Sequence, residues 1–253
     1  MSIYGVQNIL GNQYGRVYNK STHETLRIEG ASVFFADDFL GKYENVYIAA
    51  DNSAGPWIEK LTGAAPPTIV MLDSIGGGAL SFNLTADEQK QEAGIYFNNY
   101  KNFNIDKGVI FEARVAVHTA PTAQSELYFG VANDYVEGPI AEADAGPTVH
   151  ALFCYDGALT PTIHTDDATT DTDAVATSVT SVLDTYAIFR IDASVPASAK
   201  FYINGVRVGS SSTFDLSAGA NVVVQPFIMA HKEAGVGVGS MYLDYVKMWQ
   251  LSR

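Results

Sequence analysis

One stretch, AKFYINGVRVG at 199–209, restricts the fold more than any other. Phe201 and Ile203 alternate up to Asn204-Gly205, and Val206 and Val208 carry the alternation past it. Asn-Gly between two alternating apolar runs predicts a β-hairpin closed by a type I′ turn. That turn needs positive φ at both central residues, which Gly adopts freely and Asn tolerates. Upstream, TYAIFRID (185–192) keeps the period-two rhythm of a half-buried strand, and GSMYLDYVKMWQ (239–250) keeps it for longer. The chain is predicted to be antiparallel β.

The remaining runs agree. SVFFADDFL (32–40), NVYIA (45–49), TIVML (68–72), ALSFNL (79–84) and GIYFNN (94–99) read as strands separated by Gly, Pro and Asn. VIFEARVAV (109–117) and SELYFGVAN (125–133) follow, and TVHALFCYD (148–156) with TIHT (162–165) should pair around Gly157–Pro161. Thr85-x-x-Glu88 has the form of a capping box opening one helical turn. DDATTDTD (166–173) is the most polar segment and is expected to be exposed, and AVATSVTSVL (174–183) resumes the apolar pattern. Pro226 inside VVVQPFIMAHK (222–232) predicts an edge strand or a bulge. Many short strands without a periodic helix predict two packed antiparallel sheets, an all-β jelly-roll sandwich.

The expected organisation is one domain, 31–253, preceded by an extended arm, 1–30. The arm shows no sustained period and carries a net charge of +1, against −13 for the whole chain of 253 residues. Tyr4, Tyr14 and Tyr18 give it amphipathic contact area, so it is a candidate anchor that orders on a partner. The acidity argues against a nucleic-acid face, which needs clustered Lys and Arg. Cys154 is the only cysteine, in the apolar setting ALFCYDG, which predicts a core residue and no intrachain disulfide. No apolar run is long enough for a membrane span, and the start lacks a signal-peptide pattern, so synthesis in a host cytoplasm is expected.

Three stretches together resemble the concanavalin A-like lectin/glucanase jelly roll. FFADDFLG (34–41) resembles its opening strand, KFYINGVRVG its hairpin, and MYLDYVKMWQ its closing strand. These are strand and turn motifs, so the resemblance implies fold before activity. A polar arm followed by such a sandwich is also similar to structural proteins of tailed-phage particles.

The glucanase branch places its acid and nucleophile on one strand, with alternation setting them on one face about 5–5.5 Å apart. Here SELYFGVAND offers Glu126 followed by Tyr128 and Gly130, and FEARVAV offers Glu112 with Arg114. No second carboxylate follows at the required spacing, and no catalytic residue is expected. The five histidines show no metal-ligand spacing, and Asp166, Asp167, Asp171 and Asp173 lack the glycine and terminal Glu of a calcium loop, so no metal or cofactor is expected. Aromatic rings beside loop Asn and Asp suit sugar stacking, which makes Trp57, Tyr135 and Tyr155 the carbohydrate-binding candidates.

The leading expectation is a non-enzymatic virion subunit, a capsid decoration or head/tail accessory protein attached through residues 1–30. Its partners would be other virion proteins and copies of itself, with no nucleic acid and no membrane. The alternative is a carbohydrate-binding adhesin recognising host or matrix glycans, and the third reading is a glycoside hydrolase or lyase.

Overall fold

The computed structural model describes residues 4–9, 14–29, 33–39, 56–63, 65–72, 78–97, 99, 102–122, 124–136, 138, 147–217 and 222–252. The run expected at 45–49 lies outside them. In chain order the strands begin with β1 (Tyr4–Ile9), β2 (Tyr14–Asn19), β3 (Thr25–Glu29) and β4 (Val33–Asp37). Next come β5 (Ile58–Thr62), β6 (Thr68–Met71), β7 (Leu80–Asn83), β8 (Gln91–Tyr96), β9 (Phe103–Asn104) and β10 (Val109–Thr119). The middle of the chain gives β11 (Ser125–Ala132), β12 (Val149–Asp156), β13 (Thr162–Asp167), β14 (Asp171–Ala176) and β15 (Ala187–Ala193). The last four are β16 (Lys200–Ile203), β17 (Val206–Val208), β18 (Val223–Lys232) and β19 (Ser240–Gln250).

Two eight-stranded antiparallel sheets form the sandwich. The first runs β17-β16-β15-β10-β19-β7-β6, with β4 also paired to β19. The second runs β14-β13-β12-β11-β18-β8-β5, with β9 also paired to β18. Alternation turns Phe189 and Phe201 of the first sheet inward to meet Phe129 and Phe153 of the second. Edge-on ring contacts join Phe129 to Phe189 at 4.9 Å and Phe153 to Phe201 at 5.3 Å. Such pairs add roughly 0.5–1.5 kcal/mol each beyond their buried area.

The hairpin forms as the sequence predicts. Phe201 pairs with Val208 and Ile203 with Val206, and Asn204 and Gly205 hold φ of 49° and 77°. The 1–30 segment contains an antiparallel meander, β1-β2-β3, in a sheet of its own. No run of apolar alternation announced these strands.

Three expectations are corrected. Thr85-x-x-Glu88 opens no helical turn, because the Gln91 amide takes its place in the loop. It accepts from the Thr85 N–H at 2.9 Å and donates to the Ala65 carbonyl at 2.6 Å. The 166–173 segment is a hairpin rather than a uniformly exposed loop. Asp167 is 3% exposed there because its carboxylate accepts the N–H groups of Thr169 and Thr170. Pro226 lies in neither an edge strand nor a bulge. It sits in β18, inside the second sheet, where β9 pairing ends at Val224 and β8 pairing begins at Phe227. The missing N–H falls at a break in that ladder. The Gln225 side chain fills the break, accepting from Phe97 N–H and Asn99 N–H at 3.0 Å each.

Candidate functional site

Outward-facing residues of the first sheet carry the site. On β10, Phe111 and Ala113 point into the core, so Glu112 and Arg114 point out. Glu112 is fully buried nonetheless, because the turn between β2 and β3 lies over it. Thr25 donates its N–H to Glu112 at 2.8 Å and its hydroxyl to the other carboxylate oxygen. Tyr245 donates its hydroxyl to Glu112 at 3.1 Å. Burial, with Glu112 beside it, pushes the Tyr245 phenol far above its ordinary pKa. Lys247 reaches up from β19 to the Glu24 carboxylate and, at 3.2 Å, to the Thr25 carbonyl.

Beside this anchorage the two turns meet. His23 holds φ of 63° and packs directly on Gly205, where any Cβ would collide with the imidazole ring. Asn204 is fixed against β15. It donates its N–H to the Ile188 carbonyl at 2.8 Å and accepts the Ile188 N–H on Oδ1 at 2.9 Å. Between the turns and the sheet lies a cavity of about 390 Å³. Ser21, Thr22 and His23 line it from the β2–β3 turn, Arg114, Tyr186 and Ile188 from the sheet, and Asn204 from the hairpin.

The Arg114 guanidinium lies 4.3 Å over the Tyr186 ring and forms an ion pair with Asp244. Asp244 is the extra residue of a β-bulge, since Arg114 pairs with Tyr245 but Val115 pairs with Leu243. The Tyr186 hydroxyl is buried without a hydrogen-bond partner. Desolvation raises its pKa first, Asp244 raises it further and Arg114 opposes both. Among the described residues the lining is therefore polar, with one Lys or Arg, already paired, and no carboxylate. It can hydrogen-bond a hydroxyl-bearing ligand, and its described residues include no flanking carboxyl pair of the kind that glycoside hydrolysis uses.

The residues expected from the sequence fall elsewhere. Tyr4 and Tyr14 lie on β1 and β2, with side chains outside the described residues. Tyr18 is half-buried and stacks on His23 at 6.1 Å, within the molecule's own turn. Trp57 and Tyr155 are not sugar platforms. Trp57 is fully buried among Phe35, Phe39 and Phe97 with Nε1 donating to Asp37, and Tyr155 is 1% exposed in the core with its hydroxyl on Ser181.

Tyr135 alone of the three stays half-buried, on the outer face of the second sheet. It stacks on Tyr96 at 4.9 Å and donates to Glu92 at 2.5 Å. There Glu126 gains neighbours that its own strand denies it. His231, on the adjacent β18, lies 3.7 Å from Glu126 and 3.9 Å from Glu92 on β8. Glu92 is fully buried and also accepts the Gly138 N–H at 2.9 Å, so the protein itself occupies this carboxylate. Among the described residues no group of three or more His, Cys, Asp or Glu is placed to hold a metal ion. His150 and His164 do not form one: His150 Nδ1 sits on the Pro147 carbonyl, and His164 lies between Thr162 and Asp173. Cys154 is buried, and burial pushes its thiol pKa well up.

The sequence missed the cavity because its lining comes from residues 21–23, 114, 186, 188 and 204. Only the hairpin motif touched it. Arg114 was visible as the same-face neighbour of Glu112, but the turn that covers them lies 87 residues from Glu112.

No family model matches the chain, and no curated protein matches it. Solved structures do. A protein of unknown function from Shewanella oneidensis MR-1 superposes with a TM-score of 0.58 at 12% identity, covering 87% of this chain and 88% of that one. A β-1,3-glucanase from Mycobacterium marinum gives 0.52 at 15% identity, covering 85% and 97%. The chain folds as a concanavalin A-like jelly roll. The potassium-bound carbohydrate recognition domain of Emp46p is similar in the same way, with a TM-score of 0.50 at 13% identity over 77% of this chain and 88% of that one. At these identities the likeness concerns the jelly roll's architecture.

Proposed function

We propose that the protein is a glycan-binding jelly roll, an adhesin-type lectin rather than a glycan-cleaving enzyme, with its sugar site in the cavity under the β2–β3 turn. The observation that carries this is the cavity lining. Ser21, Thr22, Arg114 and Asn204, four side chains able to hydrogen-bond, line one space of about 390 Å³ together with His23, Tyr186 and Ile188. That is a size at which small ligands are held. The glucanase and the carbohydrate recognition domain among the similar folds support a sugar as the ligand class.

The reading takes precedence over a virion subunit anchored by residues 1–30, because the β2–β3 turn is committed to its own sandwich through Glu24 and Thr25. It takes precedence over a hydrolase because, among the described residues, those that line the cavity include no carboxylate. A glycan array on the purified protein tests it, with Ser21→Ala, which removes an exposed lining hydroxyl, as the paired variant. Binding should appear for the parent and weaken roughly tenfold in the variant, the loss expected for one hydrogen bond worth about 1–1.5 kcal/mol. An array without signal, or equal signal from both proteins, would sink the proposal.

A further inference from the structure

Resting on that reading, we infer that the cavity takes the uncharged end residue of a glycan rather than a stretch of chain interior. The first argument is shape. A site for chain interior is a groove with two open ends. Here the β2–β3 turn and the Asn204-Gly205 turn touch each other through His23 and Gly205, so the space between them is closed on that side. The contact exists because residue 205 has no side chain to hold the two turns apart. At about 390 Å³ the cavity lies near the small end of the ligand-pocket range of roughly 300–1,000 Å³, room for one or two sugar rings.

The second argument is charge. Arg114 is the only Lys or Arg among the described lining residues, and Asp244 already neutralises it. A sugar carboxylate entering here would find that cation already taken by the Asp244 carboxylate behind it. A neutral sugar needs no such cation.

The third argument is hydrogen-bond polarity. Asn204 spends Oδ1 on the Ile188 N–H, which leaves its NH₂ to donate. Arg114 is a donor as well, and the Ser21 and Thr22 hydroxyls both donate and accept. Donors in excess of acceptors, with no net charge, suit the ring and hydroxyl oxygens of a neutral sugar.

Competition binding on the full chain tests the inference. The probes are free glucose, galactose, mannose and N-acetylglucosamine, glucuronic and galacturonic acid, and the best glycan from the array before and after exoglycosidase removal of its end residue. One neutral monosaccharide should displace the array glycan, trimming should abolish binding, and the matching uronic acid should compete at least roughly tenfold less well. In Asp244→Asn, which leaves Arg114 unopposed at that atom, the difference should shrink to about threefold or less. A trimmed glycan that still binds, or failure of every monosaccharide to compete, overturns end recognition while leaving glycan binding intact. Equal competition by the uronic acid in the parent overturns the charge argument. Absence of binding to any glycan removes the proposed function and this inference with it.

Discussion

Asn204 and Gly205 are constrained twice, once by their own backbone and once by what lies against them. The backbone constraint was legible in the sequence, since Asn-Gly between alternating runs identifies a primed turn without reference to anything distant. The second was not, because His23 is far away in the chain and nothing local to Gly205 says that a ring rests on it. Replacing Gly205 by Val therefore has two consequences. A β-branched residue at φ of 77° should cost about 1–3 kcal/mol, read as a lower urea midpoint. It should also displace His23 and weaken glycan binding by more than the stability loss explains. An unchanged midpoint would mean that residue 205 does not hold positive φ in solution.

Alternation marked most strands of the sandwich at the element scale, because inward and outward residues of a half-buried strand differ in kind. β10, β11 and β12 each run within two residues of the expected stretch. Strands buried on both faces gave the rules less to work on, and β18 is the clearest case. Nine of its ten residues are buried, including Gln225, His231 and Lys232, so its outward face is not marked by exposure. Pro226 misled for a physical reason: a proline excludes ladder bonds, and the sequence cannot tell an edge from a gap between two partners on one flank. Gln225 is what makes the gap tolerable. In Gln225→Ala the N–H groups of Phe97 and Asn99 lose their acceptor, at about 1–3 kcal/mol for each one that stays dry. Thermal melting should fall accordingly, and amide hydrogen exchange should quicken at 97 and 99 before it does in the neighbouring β8. Exchange that quickens equally in β8 would show that the side chain does not bridge the gap.

The whole molecule is a sandwich with a meander lying on one outer face, and the two parts were unequally readable. Two packed sheets follow from strand number and pattern, whereas the meander's position depends on polar contacts that no period announces. Those contacts run from Glu24 and Thr25 to Lys247 and Glu112. They lie on the outer face of the first sheet, so the apolar core between the sheets does not depend on them. Starting the chain at Ser32 should therefore leave the sandwich folded. Glu112, Tyr245 and Lys247 would be rehydrated, and a carboxylate returned to water carries no desolvation penalty. The loss should be a few hydrogen bonds and one ion pair, about 2–4 kcal/mol in all, or roughly 4–16 °C in Tm for a domain of this size. Glycan binding should disappear, because Ser21, Thr22 and His23 leave with the segment and the cavity opens into a bare sheet face. Circular dichroism, melting and the glycan array separate the outcomes. A truncated chain that unfolds would make the meander part of the folding unit. One that folds and still binds the same glycan with the same affinity would place the site away from the turn and remove the cavity from the argument.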